Sequence, residues 1–137
     1  MYFEWNSQIE LGYPPIDEQH RRLFALSEEV ARTLADSADH RPAAGALREL
    51  SDFVREHFAF EEGLMRVNGY PGADGHAGAH NLLLTELETY CRKLQTDEQA
   101  NLTVTGLVAF LWHWLIMHIN AADRELVRWV KSGGAPR

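Results

Sequence analysis

The stretch HFAFEEGLM, residues 57–65, sets a histidine and a glutamate four residues apart. Side chains at that spacing share one side of a helix. Leu50, Val54, Leu64 and Met65 point the same way, so His57 and Glu61 fall on a face built for a core. A carboxylate buried there is costly unless something compensates its charge, and a neutral imidazole is a weak partner for it. The pair requires something else between its members.

Working outward, the stripe Leu47, Leu50, Val54, His57, Glu61, Leu64 defines a helix from about Pro42 to Val67, stopped by NGYPG. A helix before it is predicted from an N-cap at Asp17 to Ala35, with Leu23, Phe24, Val30, Ala31 and Leu34 on one face and His20 among them. A third starts between Ala73 and His76 and runs to about Leu94, carrying His76, His80, Leu83, Leu84, Leu87 and Cys91 at helical spacing. The fourth is expected from Leu102 to Lys131, with Leu107, Leu111, Leu115, His118, Ala122 and Leu126 in line and Gly133 and Gly134 at its end. No segment alternates as a strand would. The pattern predicts an all-α, antiparallel up-down four-helix bundle over residues 17–132. Residues 1–16, with Tyr2, Phe3, Trp5, Ile9 and Leu11, are too apolar for a disordered tail and should form an arm packed on the bundle, while 133–137 read as a flexible tail.

Composition narrows the class. A length of 137 residues suits one domain with its own core. The net charge of −7 argues against nucleic-acid binding. The start lacks the basic and apolar regions of a secretory signal, and the apolar run FLWHWLIMHI, residues 110–119, is too short and too interrupted to span a bilayer. A lone cysteine, Cys91, makes no internal disulfide and fits a reducing compartment, so a cytoplasmic location is expected.

The unusual core residues form one set: His20, His57, Glu61, His76, His80 and His118, with Asp123 five residues beyond the last. Each helix offers at least one metal-capable side chain to the bundle interior, where such folds build metal sites. Seven donors are too many for one ion. Five imidazoles and two carboxylates suit two first-row ions sharing carboxylate bridges, with iron, manganese or zinc allowed by ligand type. The lack of clustered thiolates argues against iron–sulfur, and the paired Glu-x-x-His motifs of ferritin-like sites are missing. Mostly neutral ligands favour reversible binding of dioxygen over its cleavage.

The spaced set H…HFxxE…HxxxH…WLxxHIxxxD, together with IDEQHRRLF (16–24), HFAFEEGLM and Trp5, resembles the hemerythrin family in its bacterial branch, bacteriohemerythrin. The resemblance spans nearly the whole chain. It implies a non-haem, non-enzymatic centre of two iron ions joined by an oxo or hydroxo group, with dioxygen as its partner. His76, His80 and His118 would hold one iron, His20 and His57 the other, and Glu61 and Asp123 would bridge them. Dioxygen would bind at an open position on the two-histidine iron, in a pocket lined by Leu115, Ile119 and Trp114 that excludes water. The alternatives are an oxygen or redox sensor domain with a protein partner, since family members occur in signalling proteins, and a di-iron oxidase or peroxidase.

Other candidates read more simply. His40, in ADSADHRP, is expected in a solvated loop. His113 lies five residues before His118, about 140° away around an ideal helix, and reads as a surface or packing residue. Asp123 stands at the same five-residue spacing and rests on the resemblance alone. Glu62 is expected to turn toward solvent, contact behind a ligand being the lesser alternative. Trp112, Trp114 and Trp129 read as core.

Overall fold

The computed structural model describes residues 3–36, 39, 41–96 and 104–134. His40, Tyr2 and the expected helix start at Leu102 lie outside the described residues. Four helical rods form the molecule, with no strand among the described residues: α1 (Pro14–Ala35), α2 (Arg41–Val67), α3 (Ala73–Thr96), and a fourth rod made of α4 (Val104–Met117), a π-helical segment (His118–Asp123) and α5 (Arg124–Lys131). The chain is an all-α antiparallel bundle. α1 packs along α2, α2 along α3, and α4 against α1. The aromatic contact of Tyr90 with Phe110, 5.0 Å between centroids, joins α3 to α4.

Two features depart from simple periodicity. α1 begins at Pro14, not beyond an N-cap at Asp17, because proline needs no backbone donor in a first turn. Asp17 is buried instead, and its carboxylate accepts hydrogen bonds from the backbone N–H of Leu11 at 2.8 Å and Gly12 at 3.0 Å. It therefore caps the segment that precedes the helix. That segment is also held where the Phe3 N–H donates to Glu28 at 2.8 Å, and Phe3, Ile9 and Leu11 are buried in the core. The second departure is the π-helical segment, whose backbone bonds skip five residues rather than four.

The helix ends follow the expected punctuation. After α2 the backbone turns through Gly69 at φ +59°, with the Tyr70 N–H donating to the Met65 carbonyl at 2.9 Å. After α5, Gly133 and Gly134 take φ of +73° and +83°, and the Gly134 N–H reaches the Trp129 carbonyl. Trp112 departs from its expected burial. It is 38 % exposed and covers Phe3 and Phe24 from outside, each at 5.9 Å. Trp129 is half-buried and donates its indole N–H to the Asn68 carbonyl.

Candidate metal centre

Helical spacing on α2 delivers His57 and Glu61 together, and spacing on α3 delivers His76 and His80. His20 comes from α1, and His118 and Asp123 from the two ends of the π-helical segment. All seven are buried. The wider turn of that segment explains how Asp123, five residues on, faces the same point as His118, which an ideal α-helix would not allow.

Their donor atoms converge in two groups. Glu61, His76, His80, His118 and Asp123 form one, and His20, His57, Glu61 and Asp123 the other, with the donor atoms of each group within 4.8 Å of one another. The two carboxylates belong to both. Glu61 turns Oε2 to His57 at 3.1 Å and Oε1 to His80 at 3.1 Å and His76 at 3.4 Å. Asp123 turns Oδ2 to His20 at 2.9 Å and Oδ1 to His76 and His118, each at 3.0 Å. Each carboxylate thus presents one oxygen to the three-histidine group and the other to the two-histidine group.

Hydrogen bonding alone does not account for this packing. Both Glu61 oxygens, Asp123 Oδ1, and Nε2 of His57 and His76 are buried without a hydrogen-bond partner, a condition folded proteins rarely tolerate. Nε2 of His80 and Nε2 of His118 face each other at 3.1 Å. Two imidazole lone pairs so placed repel unless a proton or a metal ion lies between them. Donors that share a first-row ion at about 2.0–2.1 Å stand close together in this way, so the residue set fits a metal.

Electrostatics agree. Burial works to lower the pKa of His20, His76 and His118, but the carboxylates of Asp123 and Glu61 close beside them outweigh it, raising His20 and His76 to about 9 and His118 to about 10. Burial works to raise Glu61 and Asp123, and for Asp123 the Glu61 charge adds to it; the neighbouring histidines still hold both carboxylates well below their ordinary range. The cluster concentrates negative charge in a dry site and attracts cations, protons included.

The family model for the hemerythrin HHE cation binding domain matches residues 11–130. The chain belongs to the hemerythrin family. It is 30% identical over 129 residues to a bacteriohemerythrin of Stenotrophomonas maltophilia, covering 93% of this chain and 81% of that one. A hemerythrin-like protein of Naegleria gruberi is 30% identical over 123 residues, 90% of this chain and 89% of its own. A Clostridium acetobutylicum bacteriohemerythrin is 25% identical over 128 residues, 91% and 98% of the two chains. No solved structure matches. As a hemerythrin-type bundle, the chain carries a metal-binding site of the kind its His, Glu and Asp cluster describes.

Around this hemerythrin centre, Phe58 stacks on the His80 ring at 3.5 Å and 4°, and Trp114 on the His118 ring at 5.5 Å and 16°. Trp114 thus lies against the three-histidine group. Leu115 and Ile119 are buried, and His113 is exposed. Two side chains meet the Nδ1 edges of the rings, Gln19, which the sequence did not single out, and Glu62, for which such a contact was the lesser alternative. Gln19 Oε1 lies 2.6 Å from His57 Nδ1, and Glu62 Oε2 lies 2.8 Å from His80 Nδ1. Glu62 therefore does not simply turn to solvent; its half-exposed carboxylate accepts from a buried ring. The available signal was adjacency, since Gln19 precedes His20 and Glu62 follows Glu61. No helix among the described residues is long and apolar enough to cross a membrane.

Proposed function

We propose that this hemerythrin binds dioxygen reversibly, without net turnover, at a centre of two iron ions, in the cytoplasm. The observation that carries the reading is the pair of donor groups sharing Glu61 and Asp123, each carboxylate with one oxygen toward either group. His76, His80 and His118 would hold one iron and His20 and His57 the other, with Glu61 and Asp123 offering one oxygen to each. When bound in the ferrous state, the pair supplies the electrons that dioxygen needs in order to bind.

The chain's own contribution is placement and exclusion. Two histidines against three leave the smaller set the natural side for an added ligand. Glu61 and Asp123 hold both positions in register while supplying two negative charges to the four of a ferrous pair. Buried Leu115 and Ile119 keep water from the interior and slow proton delivery to a bound ligand.

The test is anaerobic reduction of the iron-loaded protein, then exposure to oxygen with near-ultraviolet and visible absorption recorded and iron per chain counted. Two irons and a band that vanishes under vacuum and returns with oxygen support the reading. Irreversible oxidation with no oxygenated form would overturn it and favour an oxidase or a redox sensor.

A further inference from the structure

One ring in each histidine group has a side chain behind it, while Nδ1 of His20 and Nδ1 of His76 have no hydrogen-bond partner, and the two backing side chains differ in charge. On the three-histidine side, His80 Nδ1 meets a carboxylate, Glu62, at 2.8 Å. On the two-histidine side, His57 Nδ1 meets a neutral amide, Gln19, at 2.6 Å. In both cases an oxygen behind the ring accepts the Nδ1–H, which leaves the Nε2 lone pair aimed into the cluster. The consequence for charge is unequal. A carboxylate draws the Nδ1 proton toward itself and enriches the ring; an amide oxygen does so far less.

Glu62 is only partly buried. Its side chain is 41 % exposed and lines a cavity of about 310 Å³ with Arg66, Tyr70 and Asp74, so part of its hydration survives. Phe58, flat against His80, independently fixes the plane of that ring. The Glu62 contact is therefore left to govern electron supply more than orientation.

We propose that Glu62 and Gln19 are positioning residues that make the two halves of the centre electronically unequal, the three-histidine position favouring the oxidised ion and the two-histidine position the reduced one. This rests on the two-metal reading above, but not on oxygen binding. The asymmetry assigns different tasks to the halves: one position stabilises lost electron density while the other stays available to a ligand.

The experiment compares wild type, Glu62→Gln and Gln19→Glu, each loaded anaerobically with ferrous iron. Iron per chain, ferrous affinity by chelator competition, and reduction potentials by spectroelectrochemistry are measured without oxygen. Glu62→Gln should weaken iron binding by about 10–100-fold, the usual effect of removing a partner behind a ligand. It should also raise the potential by about 59 mV, a tenfold loss of preference for ferric iron. Gln19→Glu should shift the potential the other way. Equal potentials in all three proteins would overturn the proposal; if Glu62→Gln does not fold, an unchanged or raised potential in Gln19→Glu overturns it alone. Wild type holding fewer than two irons would sink this inference and the functional reading together. Potentials that shift as expected in a protein with no reversible oxygenation would sink the functional reading only.

Discussion

His118 and Asp123 stand five residues apart and aim at one point, with Nε2 of the histidine 3.0 Å from Oδ1 of the aspartate. The π-helical turn between them makes this possible. A π-helical turn behaves as an α-helix carrying one surplus residue. Deleting Ala121 should therefore convert the segment to α-helix, keep the aspartate on the histidine's side at four-residue spacing, and leave Leu126 and Val127 buried in α5. Circular dichroism and iron counting should show a folded protein that still binds metal. A deletion that unfolds the protein would mean that α5 had been rotated out of register by about 100°, as in an ordinary helix.

Acidity should act oppositely on the metal-free and loaded proteins. His20, His76 and His118 are raised from 6.5 to about 9, about 9 and about 10. Their contribution to metal-free stability is complete below pH 6.5 and disappears as pH rises through 9 to 10. Glu61 and Asp123 are depressed, so their contribution is present above their ordinary values of 4.5 and 3.8 and is lost as pH falls below them. Thermal melts of the metal-free protein should give the highest Tm between those two limits and a decline on the alkaline side. The loaded protein should instead lose iron on acidification, and loading near pH 7 should release protons into a weakly buffered solution.

Glu61→Gln should remove one of the two shared carboxylates. One of the two oxygens becomes an amide NH2, which is no ligand, and the remaining oxygen loses its charge, so iron per chain should fall from two to one or none, measured by elemental analysis. Without metal the variant should also be less stable by about 3–5 kcal/mol, because partnered buried charges lose their counter-charge. Retention of two irons would show that Asp123 alone can join the groups.

Asp17→Ala should cost about 1–3 kcal/mol in urea unfolding, since two backbone donors at Leu11 and Gly12 lose their acceptor. Helix content should hardly change. A wild-type midpoint would mean that water satisfies both donors.

Leu115→Ala should cost about 2–5 kcal/mol as a buried side chain is cut back. It should also shorten the life of the oxygenated form several-fold, followed by the decay of its absorption band after oxygen is admitted. An unchanged decay would place the water barrier elsewhere.

Much of this architecture could be read from residues alone because it obeys one period. His57 with Glu61, and His76 with His80, sit four apart on stripes of leucine and valine, so their burial and shared direction followed from α-helical geometry. Asp123 did not, because the π-helical turn breaks that period where it matters. Gln19 was hidden, and the ring contact of Glu62 was only the lesser alternative, for another reason. Their contacts cross from α1 to α2 and from α2 to α3, and the register of one helix against another is set by packing, not by spacing within either. Asp17 was misassigned because a carboxylate near a helix start resembles a cap, whereas Pro14 and Pro15 had already begun the helix.

The bond between His20 and Asp123 closes a span of 103 residues. Both donor groups need Asp123 from the last rod, and the two-histidine group also needs His20 from the first, so neither is complete until the last rod has docked. With His20, His76 and His118 raised to about 9, about 9 and about 10, protons can supply the counter-charge of Glu61 and Asp123 near neutral pH before a metal ion does. A chain made during iron scarcity should then persist as a folded protein, and the stability of that waiting form should set how long it survives proteolysis.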